Sequence, residues 1–329
     1  MKIGTIGSNF IVDRFISATR LVEGVEIVAA YSRSAEKAEA FAKKHNIAKT
    51  YTDLQEMMND KEIDTIYVAT PNSLHYEQTL FALNNGKHVI NEKPFTPTVK
   101  EFDHLANVAK ANNLFLWEAI TNIYTPNLNI MKDNLDKVGK VAIVVSNYSQ
   151  YSSRHQAYLN GEKPNIFMPE FAGGSLMDIN LYNVHLVMYL FGKPNDVTYY
   201  ANKGPNGIDT SGVMIFKYDD FVATLIGAKD SSSRSFASVQ GDKGSLLIDD
   251  CSMGILDNLS FVSHKGEKTN IGVEQNEQHM VYEVEAFEKM FKENDLAQCY
   301  EKLEYSRGIV EVMEKARKGA GIYFDADQK

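Results

Sequence analysis

Polar side chains lie along an otherwise apolar segment near the middle of the chain. They follow the spacing i, i+4, i+7 and i+11, which puts them on one face of a helix. They are Asp178, Tyr182, His185 and Tyr189. The other positions are mostly Ile, Leu, Val and Met, and a helix that is apolar nearly all round is buried. Because buried polar groups need partners, the stripe predicts either a structural network or the lining of a polar cavity.

Lys93 is a second residue whose type and position could do chemistry. It follows the apolar strand pattern HVINE and precedes Pro94, which favours an extended backbone at the lysine. Open α/β sheets bind ligands at the carboxyl ends of their strands. The ammonium is therefore either an ordinary surface charge or a ligand contact, and the sequence alone leaves both readings open.

The first residues, MKIGTIGSNFIVDRF, read as a strand, a turn at Gly7 and a helix. A dinucleotide-binding protein carries G-x-G-x-x-G at this place. Here Asn9 stands at the second glycine position and Val12 at the third. Because Asn tolerates a positive φ better than most residues, Asn9 is a plausible substitute. The pattern predicts either a degenerate nucleotide-binding turn or a plain strand-to-helix turn.

The end of the second strand, YSRS, lacks the acidic residue that usually holds the ribose 2′-hydroxyl of NAD. Ser32 and Arg33 offer a hydroxyl and a guanidinium, which suit a 2′-phosphate through charge-assisted hydrogen bonds. The alternative is a solvated loop arginine. If a nucleotide binds, this strand end favours NADP over NAD.

Two halves of the chain differ in their pattern of elements. The first 120 residues alternate short apolar strands with amphipathic helices, which predicts an α/β domain with a parallel sheet covered on both faces. In residues 121–329, strands follow one another closely after a helix, which predicts a mostly antiparallel sheet. Two helices are expected near 277–294 and 301–318.

Two short segments of the second half are also interpreted. The stretch MGILDN (253–258) is predicted to be a strand, and KDSSSRS (229–235) is interpreted as a flexible loop.

Bulk composition excludes several classes of protein. A formal charge of -9 disfavours a nucleic-acid binder or a protein of anionic membrane surfaces. The cysteines, Cys251 and Cys299, have no metal-binding spacing, so no metal is expected and a reducing compartment fits. The N-terminus has no signal-peptide pattern, and no apolar run reaches the ~18 residues of a membrane span. A cytoplasmic location is expected.

Residues 69–94, ATPNSLHYEQTLFALNNGKHVINEKP, resemble the glucose–fructose oxidoreductase/inositol dehydrogenase/rhizopine catabolism family. The resemblance continues through LWEA (116–119) and through residues 168–192. It implies an N-terminal Rossmann domain over 1–120 and a substrate-binding α+β domain with a large, mostly antiparallel open sheet over 121–329. It further implies a set of cofactor-binding residues. These are Gly7, Asn9, Phe10, Ile11, Ser32, Arg33, Thr70, Pro71, Asn72, His75, Glu92 and Lys93.

Within the family, the chain is most similar to the dihydrodiol dehydrogenase branch. Tyr182 stands where inositol-dehydrogenase-like members usually carry His, and Ile123 stands where branch members tend to have Arg. The resemblance implies an NADP(H)-dependent oxidoreductase acting on a carbonyl or secondary alcohol of a sugar, polyol or dihydrodiol. Tyr182 would carry the proton, Lys93 would favour its phenolate, and Asp178 would orient the substrate or the lysine. Additional substrate contacts are expected from Arg154 and His185.

The main alternative is a non-catalytic NAD(P)-binding regulator of the same fold, which the departures at Asn9, Val12 and Ile123 would suit. Retention of Lys93 and Tyr182 argues against it. A glycoside-cleaving enzyme with tightly bound NAD is disfavoured by the missing ribose acid. The expected partners are a small-molecule substrate and further copies of the chain, forming a homodimer or homotetramer through the second-domain sheet, with no nucleic acid and no membrane.

Overall fold

The protein is described by a computed structural model that covers residues 1–328 and divides into two compact units. The first unit comprises Met1–Ala119 and Asn276–Arg307, and the second comprises Ile120–Gln275 and residues 308–328. Within residues 1–275, the first unit ends at Ala119 and the second begins at Ile120. Residues 276–307, which the sequence assigns to the second domain, instead cluster with the first unit.

Aromatic packing explains this difference. The ring of Phe287 stacks on Trp117 with centroids 5.3 Å apart, and the Cys299 thiol lies 3.4 Å from the Leu116 carbonyl oxygen. Segment 276–307 therefore covers the last strand of the first sheet.

The first unit is a Rossmann-type α/β layer structure, which confirms the predicted fold class. Its six strands are all parallel, in the order β3-β2-β1-β4-β5-β6. The strands are β1 (Lys2–Ile6), β2 (Glu26–Tyr31), β3 (Lys49–Tyr51), β4 (Thr65–Val68), β5 (His88–Glu92) and β6 (Leu116–Ala119). The helices are α1 (Phe10–Thr19), α2 (Ala35–His45), α3 (Leu54–Asn59), α4 (His75–Asn84), α5 (Val99–Ala111), α9 (Val281–Glu293) and the first part of α10 (Leu296–Gly319).

The strand order reverses between β1 and β4, whose carboxyl ends therefore border a topological switch point. Open α/β sheets bind their ligands in the crevice at such a point. The strands are apolar on both faces: Ile3, Ile66 and Val89 have no exposed surface. This burial accounts for their nearly continuous apolar sequences.

The second unit contains an eight-stranded sheet in the order β14-β13-β12-β11-β7-β10-β9-β8. All neighbouring strands are antiparallel apart from β7 and β10, so the predicted mostly antiparallel sheet is confirmed. The strands are β7 (Val141–Ser149), β8 (Asp196–Lys203), β9 (Asp209–Lys217), β10 (Val222–Ala228), β11 (Phe236–Gly241), β12 (Gly244–Asp249), β13 (Ser260–Ser263) and β14 (Lys268–Asn270). The helices are α6 (Pro126–Asp133), α7 (His155–Leu159), a π-helical turn (Leu176–Asn180, the π-turn below), α8 (Leu181–Phe191) and the last part of α10.

The two faces of this sheet differ. The π-turn and α8 pack on one face, where Ala223 and Leu225 of β10 are fully buried. On the opposite face Val222 is 43% exposed, and it pairs with Ile143 of β7, which is 47% exposed. The second unit therefore has one covered face and one open, apolar face.

The strand predicted over 253–258 is wrong. The segment forms a tight turn in which the backbone N–H groups of Ile255 and Leu256 donate to the Ser252 carbonyl. Leu256 has a positive φ of 61°, which a strand does not adopt. Met253 and Leu256 are buried in this turn and Ile255 is half-buried, so the apolar content of the segment imitated a strand.

Within residues 1–328, no helix combines the length and apolar character needed to cross a membrane.

Candidate active site

The turn after β1 needs a glycine for two reasons. Gly7 has φ 122°, and a Cβ added there would lie 2.4 Å from the carbonyl oxygen of Ala69. The same oxygen accepts a hydrogen bond of 2.9 Å from the Asn9 side-chain amide. The ends of β1 and β4 thus approach each other closely at the switch point, as the first glycine of a nucleotide-binding turn permits.

Asn9 fills the second glycine position in a different way from the one expected. Its φ is -90°, so the tolerance of Asn for positive φ is not used. Instead, its side-chain oxygen accepts the N–H groups of Ile11 (2.9 Å) and Val12 (3.4 Å), and Asn9 is the N-cap of α1. Beside it, Phe10 is 67% exposed. An exposed aromatic ring at a helix N-terminus could pack against a ligand bound at that turn.

Ser32 and Arg33 follow the end of β2. The Ser32 hydroxyl oxygen accepts a 3.4 Å hydrogen bond from the Ser34 N–H, and Ser34 in turn caps α2. Arg33 is exposed, and its guanidinium has no hydrogen-bond or ion-pair partner among residues 1–328. No carboxylate occupies the strand end, so the donors available here suit a phosphate.

His75 connects the loops that follow β4 and β5. Its ring nitrogens lie 2.9 Å from the carbonyl oxygens of Thr70 and of Pro94. Burial lowers the pKa of His75, although the two carbonyls favour the charged form. The ring is 1% exposed, so His75 acts as a structural tie between these loops. Pro71 and Asn72, the remaining candidates in the loop after β4, are half-buried.

Glu92 and Lys93 are consecutive residues whose side chains differ in exposure. Its carboxylate accepts the Tyr67 hydroxyl at 2.5 Å and the Lys93 backbone N–H at 3.2 Å. Burial raises the pKa of Glu92 to about 7. It is 5% exposed, whereas Lys93 is half-buried. Glu92 thus anchors the end of β5, and Lys93 is the accessible member of the pair.

Two further carboxyl groups lie in the interior below this strand end. Glu118 accepts the Ser306 hydroxyl at 2.6 Å. Glu283 is fully buried, and its two carboxyl oxygens have no hydrogen-bond partner among residues 1–328. Burial raises the pKa of Glu283 well above its ordinary value, and Glu92 and Glu118 raise it further. Glu283 was not predicted from the sequence, although its position four residues before Phe287 on α9 could have placed it on the buried face.

In the second unit, the helix predicted to start at Asp178 begins with the π-turn instead, and α8 starts at Leu181. π-Helical turns inside helices occur often at functional sites. Asp178 and Tyr182 still lie one turn apart. Both side chains are partly exposed on a segment whose remaining residues are mostly buried.

The ring of Tyr182 has close neighbours in Tyr148 and Gly254. Tyr148 meets it edge-on with centroids 5.9 Å apart, and the Tyr148 oxygen accepts a 2.8 Å hydrogen bond from Ser252. A Cβ on Gly254 would lie 3.2 Å from Cε1 of Tyr182. The hydroxyl group of Tyr182 is therefore carried by a ring whose position is restricted.

Asn122 fixes the backbone at the same place. Its side-chain amide donates to the carbonyl oxygens of Tyr182 (2.9 Å) and Met253 (3.1 Å), and the residue is fully buried. The next residue, Ile123, is 6% exposed, so this position supplies no polar group. Ile123 was singled out from the sequence, whereas Asn122 was not predicted.

Asp178 forms an ion pair that the sequence analysis did not predict. The Lys229 ammonium donates to its carboxylate, and the two side chains are 10% and 27% exposed, respectively. The loop that follows Lys229 was interpreted as flexible, but its polar side chains are bonded. Ser232 accepts the Tyr151 N–H at 2.8 Å, and Ser233 accepts the Asn147 amide at 2.8 Å.

The remaining predicted site residues of the second unit differ in burial and in their contacts. His185 is fully buried, which disfavours a direct substrate contact. Tyr189 donates to Asn129 of α6 at 2.5 Å and so belongs to a structural contact. Arg154 is exposed immediately before α7, and its substrate contact stays a prediction. Because His185 is buried and Tyr189 is bonded to α6, Asp178 and Tyr182 are the members of the predicted stripe that remain for the candidate site.

A parallel Rossmann-type sheet with a glycine turn at its switch point defines the first unit as a dinucleotide-binding domain. Residues 1–120 match the model of the oxidoreductase family, NAD-binding Rossmann fold, and residues 132–327 match that of the oxidoreductase family, C-terminal alpha/beta domain. The chain therefore belongs to the glucose–fructose oxidoreductase/inositol dehydrogenase/rhizopine catabolism family, and the predicted family is confirmed.

Relatives with an assigned activity match along the whole chain. A scyllo-inositol 2-dehydrogenase (NADP(+)) from Bacillus subtilis is 39% identical over 100% of this chain and 99% of its own length. A trans-1,2-dihydrobenzene-1,2-diol dehydrogenase from Sus scrofa is 25% identical over 100% and 99%, which is consistent with the predicted branch. The fold is also that of a 3-ketoreductase from Actinomadura kijaniata solved with NADP and TDP-benzene, with a TM-score of 0.84, 18% identity and 97% coverage of each chain.

Proposed function

We propose that this protein is an NADP(H)-dependent oxidoreductase that interconverts a secondary alcohol and a carbonyl of a polyol, sugar or dihydrodiol. The observation that carries the proposal is the setting of Tyr182. Its ring meets that of Tyr148 edge-on and lies where a side chain at position 254 would crowd it, one turn after a partly exposed carboxylate at Asp178. A fixed, partly exposed phenol beside a carboxylate is suited to accept the proton of a substrate hydroxyl.

The cofactor is NADP(H), held at the carboxyl edge of the parallel sheet. The turn at Gly7, the N-terminus of α1 and the exposed Phe10 fit the dinucleotide, and the unpartnered guanidinium of Arg33 fits its 2′-phosphate. The NADP dependence of the Bacillus subtilis relative supports this choice. When bound, the cofactor supplies hydride exchange, and the protein supplies position and electrostatics.

In oxidation, Tyr182 would take the proton of the substrate hydroxyl, and in reduction it would return that proton to the carbonyl oxygen. A free tyrosine has a pKa near 10, so it needs a neighbouring cation to work as a base near neutrality. Lys93 is assigned this role. The pairing of Lys93 with Tyr182 rests on the family resemblance and on the chemistry of the two side chains.

A non-catalytic regulator is not favoured, since the Bacillus subtilis and Sus scrofa relatives, which match over their full length, are dehydrogenases. The deciding experiment mixes the protein with NADP⁺ and scyllo-inositol, trans-dihydrobenzenediol, D-xylose or another polyol, and follows NADPH absorbance. Substrate-dependent NADPH formation supports the proposal. Binding of NADPH without turnover of any polyol, or of the corresponding ketones in reverse, would refute it in favour of the regulator.

Further copies of the chain are the partner proposed for the open face of the second-unit sheet. Ile143, Val222 and Tyr200 are exposed on strands of this sheet, and apolar patches of this kind on a sheet face mark association sites. A homodimer or homotetramer is expected by light scattering, and Ile143→Lys should shift it towards the monomer. Both free cysteines fit a reducing, cytoplasmic location.

A further inference from the structure

Lys229 is the residue of the second unit that the proposed function leaves without a role. It directly follows β10, and its ammonium is bonded to the Asp178 carboxylate. Its backbone is fixed on both sides. The Lys229 N–H donates to the Thr210 carbonyl at 2.8 Å, and its own carbonyl accepts the Ser152 N–H at 2.9 Å. The ammonium is therefore held at a defined place beside Asp178.

The Lys229 ammonium has more N–H donors than hydrogen bonds to residues 1–328. A lysine carries three N–H donors, and within residues 1–328 the hydrogen bond to Asp178 is the one that Nζ makes. The adjacent carboxylate, Asp230, is taken by the hydroxyls of Thr210 (2.7 Å) and Ser211 (2.8 Å). The side chain is only 10% exposed. Because buried polar groups are nearly always bonded, the remaining donors indicate a place for oxygen atoms from outside the protein.

Stability alone does not account for this pair. Removing two charges from water costs free energy that their attraction repays only with good geometry and full hydrogen bonding, and apolar replacements are often neutral. Here the lysine is largely buried with unfilled donors, and the carboxylate is 27% exposed. The arrangement is poorly suited to a structural clamp but well suited to contact a polar ligand.

The turn that carries Asp178 is held firmly against the sheet. Asp209 accepts the Leu176 N–H at 2.6 Å, and the Asn180 amide donates to the Leu225 carbonyl at 3.3 Å. A Cβ on Gly227 would lie 2.5 Å from that of Asn180, so only glycine allows the turn to approach this strand. Asp178 is thus fixed one helical turn before Tyr182, with the Lys229 ammonium bonded to its carboxylate.

We propose that Asp178 and Lys229 form one hydroxyl-recognition pair that selects substrates with a vicinal diol at the reacting carbon. The carboxylate accepts a hydrogen bond from one substrate hydroxyl, and the ammonium donates to its neighbour. A monohydric alcohol satisfies one of the two groups and leaves the other unpaired, which disfavours it. This inference rests on the proposed function, because it assigns the substrate class of the same site and makes Lys229 a specificity residue.

The test compares Lys229→Met and Lys229→Arg with wild-type protein. Substrates are scyllo-inositol, trans-cyclohexane-1,2-diol and cyclohexanol with NADP⁺, the last measured as substrate or as competitive inhibitor. Because Lys229→Met removes a hydrogen bond donated by a charged group, we expect it to raise KM for the two polyols roughly ten- to hundredfold. Values for cyclohexanol should change little. Lys229→Arg keeps N–H donors and should restore part of the affinity.

Lys265→Met is the matched control, because Lys265 is an exposed loop lysine of the same unit. NADPH titration of each variant reports that the protein is folded. An equal rise in KM for polyols and cyclohexanol, or no rise for the polyols, overturns the inference and leaves the proposed function standing. If wild-type protein binds NADPH but oxidises no polyol, the proposed function itself fails, and the inference fails with it.

Discussion

The ring of Tyr148 meets the ring of Tyr182 edge-on, with centroids 5.9 Å apart and an interplanar angle of 67°. Edge-to-face pairs at this distance are favourable, because the positive ring edge faces the negative ring surface. Ser252 fixes the Tyr148 hydroxyl at 2.8 Å. The position of the proposed proton carrier is therefore determined by residues from β7 and from the turn before β13, as well as by its own helix.

The Gly254→Ala variant tests this positioning. The new methyl group would lie 3.2 Å from Cε1 of Tyr182, so the ring must move by a few tenths of an ångström. Misplacement of a catalytic group by about 1 Å can cost about 100-fold in rate, so we expect a drop in kcat of about three- to tenfold. The affinity for NADPH should stay unchanged. Gly319→Ala, where no atom lies within 4 Å of the added Cβ, is the control. Unchanged turnover of Gly254→Ala would mean that the ring position is not critical.

Removal of the phenolic hydroxyl in Tyr182→Phe should leave folding and NADPH binding intact while kcat falls. General acid–base catalysis is typically worth about 10²–10⁴ in rate. Lys93→Met should lower kcat to a similar extent, and the double variant should be scarcely slower than either single one, since groups that act as a unit are non-additive. Steady-state kinetics of the four proteins check this, with Tyr323→Phe as an exposed control. Multiplicative losses in the double variant would show that the two side chains act separately.

Sequence patterns predicted the first unit well, because its strands are short apolar runs with clear boundaries. The strand Lys2–Ile6 and the following turn at Gly7 are examples. The elements that were not predicted, Lys49–Tyr51 and Leu54–Asn59, have three and six residues. Such lengths show too little periodicity to distinguish them from loop.

At the candidate site, the residues that belong to a local sequence pattern or to the family motif were predicted. The residues whose contact partners lie far away in the sequence were not. Asp178 and Tyr182 belong to one helical stripe. The partner of Asp178, Lys229, is 51 residues away, and Asn122 is 60 residues from the Tyr182 carbonyl that it binds. The strand pairing of β10 with β9 and β7 sets where Lys229 lies, and a single sequence does not encode that register in a readable form.

Cofactor preference gives a prediction for the first unit. Arg33→Ala should weaken NADPH binding roughly ten- to hundredfold, since a hydrogen bond to a charged group is worth about 1.5–3 kcal/mol and each decade about 1.4 kcal/mol. NADH binding should be nearly unaffected. Quenching of the single tryptophan, Trp117, measures both affinities. Lys43→Ala removes an exposed cation near the other end of α2 and serves as control. Equal losses for NADPH and NADH would show that Arg33 does not contact the 2′-phosphate.

The buried carboxyl group of Glu283 is expected to make the free energy of unfolding depend on pH. Burial, with the added effect of Glu92 and Glu118, raises its pKa in the folded protein well above the ordinary 4.5. The folded state therefore keeps a proton that the unfolded chain releases. Between about pH 4.5 and the folded pKa, the unfolded state binds fewer protons, so the free energy of unfolding falls as pH rises, by up to about 1.4 kcal/mol per pH unit from this group. Glu92, with a pKa of about 7, contributes in the same direction.

Glu283→Gln keeps the shape of the protonated acid and does not ionise. Near pH 5 its melting temperature should be close to that of the wild-type protein, and by about pH 8 it should be higher, because only the wild-type protein loses stability as this group is driven towards ionisation. Thermal melts across this range measure the difference. Glu285→Gln, an exposed position on the same helix, should melt in parallel with wild type at every pH. If Glu283→Gln also ran parallel to wild type, Glu283 would not be the buried acid that carries the extra proton, and Glu92 would be the next residue to test.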